Sequence, residues 1–433
     1  MLNAFVNSFR TPDLRKKILF TLAIVALTRV GSVLPTPGVD VRAVKECLAV
    51  VQAEDSSSIY QMVNLLSGGA LLRLSVLSLG IMPYITASII LQLLTVVIPR
   101  LEALRKEGQA GTAKITQYTR YLTIGLGILQ STTIIALARN PGQLFQGCAS
   151  DLIPDESLMT LVAMVVTMVT GTAMIMWFGE LITERGVGNG MSVVIFTSIA
   201  AGFPTALWAI KVAKGWPTFL LVVAVGLVIM GGVIFMEQAQ RRIPVQYARR
   251  MVGTRALGGN STYIPLKVNQ AGVIPVIFAS SLLYLPVLVA QFNPTEPWSQ
   301  WISGVFVRGD HPIYMLTYFA MIIFFTYFYV SITFNPEEVA DNMKKYGGFI
   351  PGIRAGRPTQ QYLSYVLSRI TLPGALYLGV ISMIPIIALV LVSANQNFPF
   401  GGTSILIMVG VGLDTVKQIE SQLQQRRYEG FLR

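Results

Sequence analysis

The side chains that most often carry out chemistry in proteins are scarce in this chain of 433 residues. It has one histidine, His311, which precedes Pro312, and two cysteines, Cys47 and Cys148. A single histidine leaves little scope for a histidine metal centre or for general-base catalysis. Phosphate-binding loops, zinc-protease motifs and nucleophile elbows do not occur in the sequence. We therefore expect no catalytic residue, no metal site, no cofactor and no enzymatic activity.

Charged side chains in or near the apolar segments lie mostly at segment ends, as do Arg120, Glu180, Arg369 and Asp414. Arg29, toward the outer end of the first segment, is the main exception. Pumps usually need a carboxylate in the middle of a span, which relays protons or binds a coupling ion. No segment has one, so the sequence offers no energy source of its own.

Two short motifs occur twice each, at the same offset of five apolar segments. The first reads G-apolar-apolar-P-x-I at 80–85 and 272–277, and the second reads G-x-S-apolar-apolar-I at 190–195 and 402–407. This spacing predicts two homologous halves of five spans each. Because five is odd, the halves must be inverted relative to each other in the membrane.

The same motifs predict a ring of apolar side chains. Residues four apart share a helix face, and the repeat relates Ile85 to Ile277 and Ile195 to Ile407. We expect six side chains from four helices to converge near mid-membrane, and we call them the collar: Ile81, Ile85, Met191, Ile195, Ile277 and Ile407. A closed apolar collar would exclude water and ions by dewetting. Ordinary packing or lipid-facing positions are the alternative.

Each copy of the first motif also holds a glycine and a proline three residues apart, Gly80 with Pro83 and Gly272 with Pro275. Proline inside a helix removes a hydrogen bond and clashes with the preceding turn. We therefore expect these pairs to loosen two helices and to act as flexible points.

Composition identifies the elements that must position these residues. Hydrophobic residues make up 53% of the chain and charged residues 12%, about half the usual charged share of a soluble protein. The chain is therefore expected to be a polytopic, all-α membrane protein. Segments of about 20 apolar residues, long enough to cross a bilayer, occur ten times: 17–35, 75–98, 115–137, 157–178, 188–209, 217–236, 270–290, 312–333, 366–392 and 402–421.

Basic residues predict the orientation of these spans. With both termini on one side, 25 of the 33 Lys and Arg residues fall on that side. The positive-inside rule makes it the cytoplasmic side. Cys47 and Cys148 then lie outside, where disulfides can form. Free thiols are the simpler expectation, and a disulfide is the alternative.

The predicted halves are residues 1–210, with spans one to five, and 211–433, with spans six to ten. An outer apolar piece at about 62–74 is too short to span, so it lies at the interface or folds back into the protein. Two inner loops, 237–269 and 334–365, are strongly basic. Docking of an anionic partner is one interpretation of these loops. Anchoring of orientation, with contact to anionic lipid, is the other.

The order of several longer motifs resembles the SecY/Sec61-alpha family, the main subunits of protein translocation channels, and its bacterial members in particular. The resemblance covers essentially the whole chain. It rests on the motifs at 68–71 (GGAL), 80–85 (GIMPYI), 117–121 (QYTRY), 182–190 (ITERGVGNG), 265–269 (PLKVN), 335–338 (NPEE) and 351–354 (PGIR).

The resemblance implies a clamshell of ten transmembrane helices in two inverted pseudo-symmetric halves, with a central hourglass pore and a re-entrant plug. The pore ring falls on the six collar residues, where Met191 occupies a place that is often isoleucine. The plug falls on Asn64, Leu65, Leu66, Ser67, Gly68, Gly69, Ala70, Leu71 and Leu72. The lateral gate includes Gln92 and Asn269. Docking of the SecA motor or the ribosome falls on Arg241, Arg242, Arg249, Arg250, Arg255, Lys344, Lys345, Arg354 and Arg357.

The implied function is a passive protein-conducting channel of the bacterial cytoplasmic (inner) membrane, with both termini cytoplasmic. It would pass unfolded preproteins across the membrane and release transmembrane segments sideways into lipid. The implied partners are the small subunits SecE and SecG, SecA, the ribosome, signal peptides and preproteins, and anionic lipids. From the residues alone, a secondary transporter with inverted repeats is the alternative, and an intramembrane enzyme is a more distant one.

Overall fold

A computed structural model of the chain describes most of the predicted spans and connecting segments. The described residues are 11–53, 69–71, 73–139, 151–247, 250–252, 255–257, 262–292, 296–307, 311–392 and 402–431. The helices are α1 (Pro12–Gly31), α2 (Val41–Ala53), α3 (Met82–Val97), α4 (Pro99–Lys106), α5 (Gln109–Ala138), α6 (Leu158–Arg185), α7 (Gly190–Gln238), α8 (Ile274–Phe292), α9 (Pro297–Ile302), α10 (Pro312–Thr333), α11 (Pro336–Lys345), α12 (Arg357–Val392) and α13 (Gly402–Phe431), with a π-helical turn at Ser303–Val307. The all-α prediction is confirmed for the membrane part of the fold.

A helix overlaps each of the ten predicted spans within this described part of the chain. Helix α7 covers spans five and six, and it breaks at Gly215, whose φ of 80° favours glycine. Five described helices are long and apolar enough to cross a membrane, or six if α3 and α4, bent by 100°, form one broken span. The two inverted halves remain a prediction.

The repeated glycine–proline pairs start helices, so the expectation that they loosen helix interiors is wrong. Helix α3 begins at Met82 and α8 at Ile274, so Pro83 and Pro275 both lie in a first turn. Proline is favoured there because its missing N–H would have no helical partner. The glycines before them share a left-handed backbone, with φ of 56° at Gly80 and 60° at Gly272.

Short strands in the basic inner loops add a feature that the sequence did not predict. The strands are β1 (Gln240–Tyr247), β2 (Arg250–Val252), β3 (Arg255–Leu257), β4 (Thr262–Lys267) and β5 (Gly348–Phe349). Strand β1 is the centre of a three-stranded antiparallel sheet in the order β4-β1-β5, and β2 pairs with β3. The sheet therefore joins loop 237–269 to loop 334–365.

The membrane helices pack both against helices close in sequence and against helices far away in sequence. Helix α5 lies against α3 and α6, α7 against α13, and α10 against α8 and α12. Edge-to-face rings contribute to the contact between α8 and α10, where Phe278 and Phe325 have centroids 5.6 Å apart. Such aromatic pairs favour a fixed helix crossing beyond the area that they bury.

On the predicted outer side, Cys47 of α2 is fully buried and disulfide-bonded. The expectation of free thiols is therefore wrong for this residue. The other cysteine of the sequence, Cys148, lies outside the described residues. A disulfide agrees with the predicted outer position, because compartments outside the cytoplasm are oxidising.

Candidate functional site

The six collar residues lie in one apolar cluster, and all of them belong to helix starts. Ile81 is the N-cap of α3, and Met191 is the second residue of α7. Ile85 and Ile277 are each the fourth residue of their helices, and Ile195 and Ile407 are each the sixth. The structure thus gives the repeat-related residues equivalent helical positions and brings them together.

Burial within the collar is uneven. Ile81, Ile195 and Ile407 are buried, with exposures of 2%, 7% and 2%. Ile85 and Ile277 are half-buried, and both also contact a neighbouring cluster built largely from α8, α10 and α13. These two side chains therefore connect the collar to the packing around α8. A cluster of this composition can exclude water, because it offers water no hydrogen-bonding partner.

Met191 has a defined position within the collar. A Cβ atom built on Gly179 of α6 would come within 2.3 Å of its Sδ, and one on Gly190 would come within 1.8 Å of the Gly179 carbonyl oxygen. Helices α6 and α7 therefore approach through two glycines, and the methionine fills the space beside them. A flexible thioether suits such an irregular gap.

The predicted plug is described only at Gly69, Ala70 and Leu71; Asn64, Leu65, Leu66, Ser67, Gly68 and Leu72 lie outside the described residues. Ala70 and Leu71 are buried, and Leu71 packs among residues of α2, α5 and α6 rather than in the collar cluster. The segment that follows Leu71 is bonded to the loop that follows α1. There, the amide and the hydroxyl of Thr36 both donate to the Leu74 carbonyl, over 3.0 and 2.7 Å. The described end of the predicted plug is thus buried in an apolar cluster separate from the collar.

The two predicted gate residues do not meet in this structure. Helices α3 and α8 do contact each other, with Ile89 of α3 in the same apolar cluster as Val276 of α8. Gln92 is exposed on α3, whereas Asn269 is buried just before α8. The side chain of Asn269 donates instead to Glu237 and to the Gly272 carbonyl.

The predicted docking residues form an exposed basic surface on the sheet and the segments around it, which we call the docking face. Six of them are exposed: Arg241, Arg242, Lys344, Lys345, Arg354 and Arg357. None of these six takes part in an ion pair with a described residue. Arg250 and Arg255 belong to β2 and β3, and Arg249 lies outside the described residues. The docking face therefore offers cations that no described carboxylate neutralises.

A small apolar core supports the docking face. It contains side chains from β1, β4, α11 and α12: Ile243, Val245, Leu266, Met343, Leu363 and Val366. The guanidinium of Arg242 also lies over the ring of Tyr263 on β4, with 4.8 Å between them. Such a stacked cation loses less freedom when it binds an anion, because its orientation is already restricted.

Sequence reasoning missed the partners of two polar residues. Arg120 of α5 makes a bidentate pair with Glu180 of α6, with distances of 2.9 and 2.7 Å. Both had been recognised only as charges near span ends. Glu237, at the end of α7, had no assigned role and is nonetheless buried against Asn269. Spacing gives no signal for either pair, because the partners are 60 and 32 residues apart.

Long apolar helices, an apolar cluster at four helix starts and a basic face together define a polytopic α-helical membrane protein. Among the described residues, no group of three or more His, Cys, Asp or Glu side chains could hold a metal ion.

Comparison with known proteins identifies the family. The SecY family model matches residues 75–416. Relatives described as protein translocase subunit SecY from Streptomyces galbus and Mycobacterium bovis are 66% and 60% identical, each over the full length of both chains. The chain therefore belongs to the SecY family.

Solved structures show the same fold at low sequence identity. A structure described as a protein-conducting channel superimposes with a TM-score of 0.64 at 17% identity, covering 94% of this chain and 92% of that one. Sec61 in a canine ribosome–channel complex from the endoplasmic reticulum gives a TM-score of 0.61 at 16% identity, covering 94% and 92%. At such identities the likeness establishes the fold.

Proposed function

We propose that this protein is a passive protein-conducting channel, which passes unfolded preproteins across the membrane through the collar. The observation that carries this proposal is the convergence of the six collar side chains in one apolar cluster, in a chain of the SecY family. A translocating polypeptide presents every type of side chain. An apolar, deformable ring suits it because such a ring makes few specific contacts and closes again behind the chain.

We infer that the two halves, residues 1–210 and 211–433, move against each other and open a lateral gate between α3 with α5 and α8 with α10. A nascent segment of about 20 apolar residues could then leave sideways into lipid, because transfer of its surface from water is favourable. The contact between α3 and α8, whose residues Ile89 and Val276 belong to one apolar cluster, supports this position for the gate. Gln92 and Asn269 are proposed as polar residues of that gate.

The driving force is proposed to come from partners at the docking face. Its cations favour an anionic surface, either of the SecA motor or of the ribosome, and the binding should weaken with salt. The relatives named above are translocase subunits, and one matched structure is a complex with a ribosome. SecE, SecG, anionic lipids and a location in the bacterial inner membrane with cytoplasmic termini belong to the same proposal, as does the absence of catalytic activity.

A transport assay tests the proposal. The full chain, purified with any subunits that remain bound, is reconstituted into vesicles together with SecA, ATP and a urea-unfolded secretory precursor. We expect ATP-dependent protection of the precursor from added protease, and no ATP hydrolysis by the channel without SecA. Lack of protection in vesicles that bind SecA, or saturable uptake of small solutes instead, would contradict the proposed function.

A further inference from the structure

One strand connects the membrane helices to the two basic loops, 237–269 and 334–365, which we call the docking loops. Strand β1 pairs with β4 from Gln240 to Val245 and with β5 through Gln246 and Tyr247. The ladder continues one step beyond β1 and β4, where the Val268 amide donates to the Ala239 carbonyl over 3.0 Å. Both docking loops and the segment that leads into α8 are therefore parts of one hydrogen-bonded sheet, β4-β1-β5, which we call the docking sheet.

A buried polar contact lies at the membrane end of that sheet. Asn269 Nδ2 donates to Glu237 Oε1 over 2.5 Å and to the Gly272 carbonyl over 3.3 Å. Glu237 is only 8% exposed and Asn269 only 3%. Because Glu237 belongs to the last turn of α7 and Gly272 lies just before α8, the side chain of Asn269 joins the end of one span to the start of another.

A third helix encloses the contact. A Cβ atom on Gly374 of α12 would come within 2.4 Å of the Val268 carbonyl oxygen, so the backbone of α12 lies directly against this segment. The Oδ1 atom of Asn269 is buried and accepts no hydrogen bond from any described residue. Among the described residues, the Asn269 side chain is thus held through its amide nitrogen, with Glu237 as the acidic partner. Removal of that partner leaves a buried donor poorly satisfied.

We propose that Glu237 is a positioning residue of the gate. By holding Asn269, it makes the docking sheet and α8 move as one body, so that force applied at the docking face reaches Ile277 of the collar. Asn269 bonds to the Gly272 carbonyl two residues before α8 begins, and Ile277 lies in the first turn of α8, so only a short segment separates Asn269 from the collar side chain. The carboxylate acts through Asn269 and contacts no transported chain. The inference rests on the proposed function.

The experiment separates coupling from docking. Glu237→Ala and Asn269→Ala are each reconstituted as the full chain, and ATP-driven precursor import is measured against SecA concentration. We expect the maximal import rate to fall about tenfold in each, equivalent to about 1.4 kcal/mol, while the half-saturating SecA concentration stays at the parental value. The double variant should fall no further than either single one, because both remove the same contact.

Two further variants exclude a general loss of structure. Glu237→Gln keeps an oxygen acceptor of the same shape and should restore the parental rate. Asp414→Asn is the matched control, because Asp414 forms an exposed ion pair of 3.7 Å with Lys267, two residues from Asn269. Exposed pairs contribute little, so this variant should import at the parental rate.

The inference and the proposed function fail differently. If the parent imports no precursor, the proposed function is wrong. If the parent imports but Glu237→Ala, shown to be folded by its thermal unfolding in detergent, keeps the parental maximal rate, the positioning role is wrong. The role is equally contradicted if Glu237→Gln is as defective as Glu237→Ala, or if the loss appears only as a higher half-saturating SecA concentration. Should Glu237→Ala not fold, Glu237→Leu, which removes the acceptor but keeps a side chain of similar volume, decides the question by the same criteria.

Discussion

Replacement of Ile85 and Ile277 by asparagine should make the closed channel leak ions. These two residues occupy the same position in α3 and α8, the fourth of each helix, and both are half-buried between the collar cluster and the cluster around α8. Asparagine is close to isoleucine in length, so the ring stays filled. The change therefore alters the polarity of the collar more than its size.

The size of the effect follows from the burial of the two side chains. Full burial of an isoleucine stabilises by about 1.5–3 kcal/mol, so a half-buried one contributes about 1 kcal/mol. An amide held dry in an apolar cluster costs about 1–3 kcal/mol more, and the collar avoids this cost by admitting water. Each single variant therefore favours the hydrated state by about 2 kcal/mol, which corresponds to a rise in leak of between tenfold and a hundredfold. The double variant should exceed either single one, although neighbouring sites need not add.

The leak is measured without any partner protein as the entry of iodide into reconstituted vesicles. Iodide that enters quenches the fluorescence of a dye enclosed in the vesicles. Leu282→Asn is the matched control, because Leu282 lies on the same helix as Ile277 but is 42% exposed, outside the collar cluster. We expect the control to remain tight. If the double variant, present at the parental amount in the vesicles, is as tight to iodide as the parent, the apolar seal does not lie at these residues and the collar assignment is wrong.

Three further predictions concern other regions. Arg354→Glu should lower SecA-driven import at least tenfold with no change in the amount of channel in the membrane, because the exposed cation would become an anion on the docking face; unchanged import would contradict the docking role. Hydrogen bonds from the Thr160 hydroxyl and the Ser157 amide lower the pKa of Asp155 below its usual 3.8, so their stabilisation is present above that value and is lost as the pH falls through the lowered pKa. Asp155→Asn should therefore have a lower melting temperature than the parent at pH 6 and the same melting temperature at a pH below the lowered pKa. An equal difference in melting temperature under both conditions would refute this. Cys47 should resist maleimide in denatured protein until a reductant is added, and labelling without reductant would show that the bond is absent.

Much of the membrane part of the fold could be predicted from the sequence, because each of its helices depends on a local pattern of residues. A span is a continuous run of apolar residues, and each of the ten runs overlaps a helix in the described part of the chain. The collar also required only local patterns, repeated at a fixed offset, since a helix converts a spacing of four into a shared face. The convergence of Ile195 and Ile407 in one cluster follows from those patterns combined with the repeat.

The prolines were misread because the same residue has opposite effects at different helical positions. Within a helix, Pro83 would break a hydrogen bond, but in the first turn it costs none. The apolar run starts seven residues before α3 does, so hydropathy alone placed the proline inside the helix. The glycine three residues earlier was the available signal, because a left-handed residue such as Gly80 cannot continue a helix and therefore favours a start after it.

The docking sheet and the Glu237–Asn269 contact could not be predicted, because they depend on pairing between distant segments. Strand β5 has two residues, and its partners Gln246 and Tyr247 are about a hundred residues away, so neither propensity nor alternation identifies it. This pairing has a consequence for mechanism. If the two loops were separate, a partner at either one could act only locally. Because both belong to one sheet whose last hydrogen bond, from Val268 to Ala239, lies two residues from Glu237, we propose that docking at either loop would displace the same buried contact, so that one gate helix would respond to either kind of partner.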